Sequence, residues 1–202
     1  MHEVILTIND RSVMAVEGMT ILQAAQSEGI EIPTLCHLPR LTPAGACRLC
    51  TVEISKGGRS RLVVSCVYPV EEGLEVQTES ERVRKGRKLI LELLLARAPG
   101  VQALREYGVK YGVNTEKFPS EPNFCILCGL CVRYCAEVKQ KHAIGFVGRG
   151  VERQVMFQPD IAAKECASCG ECFAICPTGV LPSNYGITRV PHFAWPRNPF
   201  AG

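Results

Sequence analysis

The chain has 202 residues, 47% of them hydrophobic, and a formal net charge of +3. That length suits two small domains; its longest apolar run, residues 89–96, is interrupted by Glu92 and too short to cross a bilayer, and the charge does not suggest a nucleic-acid binder. Its twelve cysteines stand at spacings unlike a secreted disulfide framework, and no basic then apolar leader follows Met1, so a reducing, cytoplasmic compartment and no membrane insertion are expected.

In chain order, residues 4–8 and 13–16 read as strands around a turn at 9–11. Thr20 can cap a helix that runs to about Ser27, with Gly29 as its stop. An extended stretch, 32–35, leads into Cys36, and further strands are expected at 50–54, 62–65 and 74–77, parted by glycine turns at 56–58 and 71–73. A hairpin, a helix and later strands make a small mixed α+β domain.

This domain has four cysteines, Cys36, Cys47, Cys50 and Cys66, spaced C-x10-C-x2-C-x15-C. A plant-type [2Fe-2S] site keeps a close pair of this kind, after a shorter first loop. Zinc is the alternative, although four-cysteine zinc sites usually use two CxxC knuckles and only Cys47 and Cys50 form one. Spacing alone leaves both open.

Residues 78–81, Thr-Glu-Ser-Glu, fit a capping box, and the apolar residues of 89–95 give the following helix one packed side. Arg82, Arg84, Lys85, Arg87 and Lys88 read as a solvated basic face. Residues 108–123, with Gly112, Pro119 and Pro122, read as a connector between domains.

From Cys125 to Cys176 one spacing is written twice: Cys125, Cys128, Cys131 and Cys135 form C-x2-C-x2-C-x3-C, and Cys166, Cys169, Cys172 and Cys176 repeat it, with Pro177 next. This is the bacterial ferredoxin run, in which the fourth cysteine of each run ligates the other cluster. One [4Fe-4S] cluster should take Cys125, Cys128, Cys131 and Cys176; the other should take Cys166, Cys169, Cys172 and Cys135. Ala136 stands where the first run would have its proline, which weakens the local turn and not the ligand count. The glycines of 145–150 precede no helix pattern and read as a β-turn, not a nucleotide loop. Histidine ligands are unnecessary, so His37 and His142 are placed at the surface or beside a cluster; Met14, Met19 and Met156 are read as core filler.

Residues 182–202 contain four prolines, so an extended course is expected. They also hold Tyr185, Phe193, Trp195 and Phe200, residue types that anchor extended segments on partners.

The run EGIEIPTLCHLPRLTPAGACRLCTVEI followed by VVSCVYPVEEGLEVQT resembles the N-terminal β-grasp [2Fe-2S] domain of one family. Its members are the large peripheral-arm subunit of NADH:quinone oxidoreductase, the diaphorase relay subunit of NAD-reducing hydrogenases, and iron-only hydrogenases. The resemblance covers about residues 4–181 and includes the helix RKLILELLLA and both ferredoxin runs. It implies that Cys36 and Cys47 hold one iron of a [2Fe-2S] cluster, and Cys50 and Cys66 the other. It also marks a departure: the family's histidine-ligated third [4Fe-4S] cluster has no counterpart, because no cysteine occurs between Cys66 and Cys125.

The expected organisation is a β-grasp [2Fe-2S] domain at 1–79, a helical linker at 80–122, a 2[4Fe-4S] ferredoxin domain at 123–181 and an extended tail at 182–202. No dinucleotide fingerprint, P-loop or nucleophile elbow is present, and no catalytic residue is expected. The resemblance implies an electron relay between a flavin-containing NAD(P)H-oxidising subunit and a second redox enzyme, a [NiFe]-hydrogenase or a formate dehydrogenase. A free polyferredoxin, or the iron–sulfur subunit of a quinone-linked dehydrogenase, is the alternative.

Overall fold

A computed structural model describes residues 2–121 and 123–188. The N-terminal unit is a five-stranded mixed sheet in the order β2-β1-β5-β3-β4. Strands β1 (Glu3–Ile8) and β2 (Arg11–Val16) form an antiparallel hairpin, and β1 also pairs in parallel with β5 (Glu75–Gln77). The hairpin turn is two residues, Asn9 and Asp10, both at positive φ (49° and 64°), as Asn and Asp allow in the turns whose twist matches the strands. The Asn9 side chain binds the Thr78 amide (2.9 Å) and hydroxyl (2.8 Å), tying the turn to the end of the domain. Strands β3 (Thr51–Lys56) and β4 (Arg59–Val64) complete the sheet.

Alternation sends Leu6, Ile8, Val13 and Ala15 inward against helix α1 (Ile21–Ser27), which buries Ile21, Leu22, Ala24 and Ala25. Each of the two larger side chains contributes about 2 kcal/mol of apolar burial. Thr20 closes the capping box with Gln23: Gln23 N donates to Thr20 Oγ1 and Thr20 N to Gln23 Oε1. Met14 is not core filler. It lies on the outer face of β2 and is 62% exposed, because the period of two gives its neighbours Val13 and Ala15 the inner face.

The linker is two helices, α2 (Glu81–Arg97) and α3 (Gln102–Tyr111). Ser80 caps α2 by accepting from Val83 N, while Thr78, read from sequence as part of the cap, is spent on Asn9. The basic stretch is not uniformly solvated either: Arg87 is fully buried. It shares the four-residue stripe of Val83, Leu91 and Leu95, and three acceptors meet its guanidinium: Glu79 Oε1 (2.6 Å), Tyr111 Oη (2.8 Å) and the Thr51 carbonyl (2.8 Å). The supposed connector begins as helix, since α3 includes Gly108. A Cβ there would lie 3.1 Å from Leu95 Cδ1, so the glycine permits close helix packing.

The C-terminal unit holds α4 (Leu130–Arg133), a π-helical turn (Tyr134–Val138), the hairpin β6 (Ile144–Val147) and β7 (Gln154–Phe157), then α5 (Pro159–Cys169), α6 (Glu171–Ala174) and α7 (Leu181–Thr188). The turn expected at 145–150 is met only in part: residues 145–147 belong to β6, and the connection to β7 runs over 148–153. The start of the tail is a helix, contrary to the extended course expected from its prolines. Pro182 stands in the first turn of α7, where its missing N–H has no helical partner to lose, and the next proline in the sequence is Pro191. Leu181 and Tyr185, one turn apart, are buried, with Tyr185 against the rings of Phe157 and Phe173 (centroids 5.4 and 5.7 Å). Phe193, Trp195 and Phe200 lie outside the described residues. Among the described residues no helix is long and apolar enough to cross a membrane.

Candidate metal centres

Cys36 follows the extended stretch after α1, Cys47 and Cys50 lie on the loop entering β3, and Cys66 lies just after β4; all four are buried. Arg48, at φ 62°, bends the chain between Cys47 and Cys50. Gly45, also left-handed, brings the loop against Val64 and Val67. The cysteines meet as two pairs, Cys36 with Cys47 and Cys50 with Cys66. A hydrogen bond from the Cys47 thiol, helped by backbone amides and opposed by burial, draws the Cys36 thiol down to about 6. The bond from Cys66 draws Cys50 down to about 7. Cys47 and Cys66 are pushed up by donating those bonds and by burial. One thiolate per pair near neutral pH suits a donor set that must shed its protons to bind metal, and two sulfurs side by side suit one iron of a [2Fe-2S] cluster.

In the C-terminal unit, Phe124, Leu127 and Gly129 all adopt positive φ, which curls the first loop. The Leu127 and Leu130 amides bond the sulfurs of Cys125 and Cys128. The end of α2 anchors the loop: Arg97 Nε donates to the Cys125 carbonyl at 2.7 Å, and the amides of Asn123 and Phe124 donate to the Arg97 carbonyl. Burial pushes up the thiols of Cys125, Cys128 and Cys131, Cys128 to about 11, and negative charge on Cys176 adds to the shift at all three. Burial likewise raises Cys166, and Cys172 to about 12, with Cys135 adding to both. Cys176 therefore lies among the first run's cysteines and Cys135 among the second's. The raised proton affinity of Cys125, Cys128, Cys131, Cys166 and Cys172 fits cationic iron that displaces the proton.

Ala136, in the place of a proline, keeps its N–H and lets the helix run on as the π-helical turn. That turn carries Cys135, whose sulfur accepts from Ala143 N at 3.2 Å. Among the described residues no three Cys, His or acidic side chains converge on one ion.

The two domains meet at these centres. Leu35, Cys36, Cys47 and Leu49 share one apolar core with Leu91, Leu95 and Leu104 of the linker and with Ile126, Cys128 and Tyr134. Cys36 lies close enough for its charge to reach the Cys128 thiol. His37 sits behind Cys36, partly buried; desolvation, and after it the Arg133 charge, hold it below its ordinary range. Arg133 and Glu137 cross the domain boundary to the 36–42 loop. The sequence reading missed both, and the only available signal was their four-residue spacing on the helix side opposite Cys131 and Cys135.

A model of the 2Fe-2S iron-sulfur cluster binding domain matches residues 1–81, and one of the 4Fe-4S dicluster domain matches residues 124–180. The NADPH-Fe(3+) oxidoreductase subunit alpha of Geobacter sulfurreducens is 37% identical over 203 residues, covering 88% of this chain and 24% of that protein. The NADP-reducing hydrogenase subunit HndD of Solidesulfovibrio fructosivorans is 32% identical, covering 92% of this chain and 37% of that one. The chain thus spans 24% and 37% of the length of these two curated relatives. A chain in the crystal structure of an NAD+-reducing [NiFe]-hydrogenase in the H2-reduced state matches with a TM-score of 0.67 and 31% identity, over 77% of this chain and 75% of that chain.

Proposed function

Because this chain belongs to the family of iron–sulfur electron-transfer subunits of NAD(P)-linked hydrogenases and oxidoreductases, we propose that it is a three-centre relay. It would join a flavin-containing NAD(P)H-oxidising subunit to a second redox enzyme, a [NiFe]-hydrogenase in the first instance and a formate dehydrogenase in the second, in the cytoplasm. Cys36, Cys47, Cys50 and Cys66 hold a [2Fe-2S] cluster. Cys125, Cys128, Cys131 and Cys176 hold one [4Fe-4S] cluster, and Cys166, Cys169, Cys172 and Cys135 hold the second. When bound, these groups supply one-electron carriers of low potential.

The observation that carries the reading is the one apolar core that holds Cys36 and Cys47 together with Cys128 across the domain boundary, near enough for the Cys36 charge to act on the Cys128 thiol. The chain's own residues fix that spacing through the shared apolar core and aim backbone amides at the sulfurs. The cysteines of the first run are mostly buried, whereas Cys166, Cys169, Cys172 and Cys176 are half-buried. The second run therefore presents the more accessible end of the relay to a partner.

The test is affinity purification of the chain from its native host, followed by addition of NADH or NADPH under argon. Co-purification of a flavin subunit and reduction of all three centres support the reading. A chain that purifies alone and turns over freely with several enzymes would be a mobile carrier.

A further inference from the structure

Arg133 lies between Cys131 and Cys135 in the first cysteine run, yet its side chain serves the other domain. Nη1 donates to the Thr42 carbonyl at 2.6 Å and Nη2 to the Cys36 carbonyl at 2.7 Å. One turn further on, Glu137 Oε2 accepts from Thr42 N at 2.8 Å. Cys131 and Cys135 occupy one side of this helix while Arg133 and Glu137 occupy the other. A single helix thus serves the two cubane sites and grips the loop that begins at Cys36.

The charges of the two gripping residues differ in weight. Glu137 is exposed and its charge is screened by water, whereas Arg133 is half-buried and its Nε is fully enclosed. Arg133 also lines, with Ala46 and Cys128, the cleft between the cluster loops of the two domains. A fixed cation at that place favours whichever neighbouring centre carries the extra electron. The planar fork, which meets two carbonyls at once, is geometry that lysine cannot reproduce.

We propose that Arg133, aided by Glu137, is a positioning residue for electron passage between the domains, holding the Cys36 loop against the Cys128 loop and raising the reduction potential of the N-terminal centre. This rests on the relay reading above. Arg133 bonds carbonyl oxygens and not sulfur, so its replacement leaves every thiolate ligand in place.

The experiment uses the full chain, anaerobically reconstituted, as wild type, R133Q, R133K and E137Q. Iron and sulfide are counted, each centre is titrated by EPR, and the spacing of the reduced [2Fe-2S] centre from its neighbour is read from their dipolar coupling. R133Q should keep its iron, disfavour reduction of the [2Fe-2S] centre about tenfold, about 59 mV for one electron, and broaden the spacing distribution. R133K should hold the potential but broaden the spacing; E137Q should alter the potential little. Wild-type potential and spacing in R133Q would overturn the proposal. If R133Q cannot be loaded, R133K decides: a broadened spacing supports the clamp and an unchanged one overturns it. A wild-type chain that binds no [2Fe-2S] cluster would instead sink the relay reading.

Discussion

Arg87 Nη1 lies 2.6 Å from Glu79 Oε1, with the arginine wholly enclosed and the glutamate 38% exposed. The pair joins the end of the N-terminal sheet to the linker, because the same guanidinium holds the Thr51 carbonyl and Tyr111 Oη. Arg87→Ala should destabilise the protein by about 3 kcal/mol, leaving a buried carbonyl without its donor and a void beneath α2. Arg87→Lys should recover only part of this, since an ammonium cannot span three acceptors. Anaerobic urea unfolding measures both.

Glu92 is buried on the same helix and accepts from Lys117 Nζ at 2.6 Å and from Asn114 N at 3.4 Å. The Lys117 bond, with help from the Asn114 amide, holds its carboxyl below the ordinary 4.5. A depressed folded-state value means that the stabilisation is present above pH 4.5 and fades as pH falls through the lowered value. Glu92→Gln should cost on the order of 1 kcal/mol at pH 7. The gap between wild type and variant should narrow below pH 4.5, as followed by urea midpoints from pH 7 to pH 4. A gap independent of pH would mean that the ionised carboxylate is not what stabilises.

How much of this was legible in the sequence follows the range of each interaction. The cysteine runs, the hairpin and the Thr20 cap of α1 are local, so spacing and period disclosed them, although the reciprocal bond from Gln23 was not foreseen. Arg87 was misread because five neighbouring basic residues look solvated, although the stripe from Val83 to Leu91 already placed it inward. Arg133 offered no comparable sign: its acceptors lie 91 and 97 residues away in the chain, and only the packed domains bring them together. The start of α7 was hidden by counting prolines without asking where in a helix Pro182 would fall.

If the ligand sets cross as proposed, the effect of a substitution is displaced. Cys135→Ser should damage the cluster bound by Cys166, Cys169 and Cys172 and lower the iron content by about one to four atoms per chain, while the cluster on Cys125, Cys128 and Cys131 survives. EPR and Mössbauer spectra of the variant decide this. Loss confined to the first run's own cluster would show that each run closes on itself.

Tyr185 fastens α7 over the second run through Phe157 and Phe173. Tyr185→Ala should cost about 3 kcal/mol and speed the loss of iron from the cluster on Cys166, Cys169 and Cys172. The N-terminal absorbance should stay unchanged under the same chelator challenge. Equal loss from every centre would mean that α7 supports the fold as a whole.

We propose that this one chain holds a [2Fe-2S] centre beside the first of two [4Fe-4S] centres, across one shared apolar core. The most direct measurement is an EPR redox titration of the anaerobically purified chain with parallel iron, sulfide and zinc analysis. Expected are about ten irons per chain, a slowly relaxing [2Fe-2S] signal, and two [4Fe-4S] signals, one of which broadens the first through magnetic coupling. Zinc in place of the two N-terminal irons, about fourteen irons, or a [2Fe-2S] signal indifferent to reduction of both cubanes would contradict it.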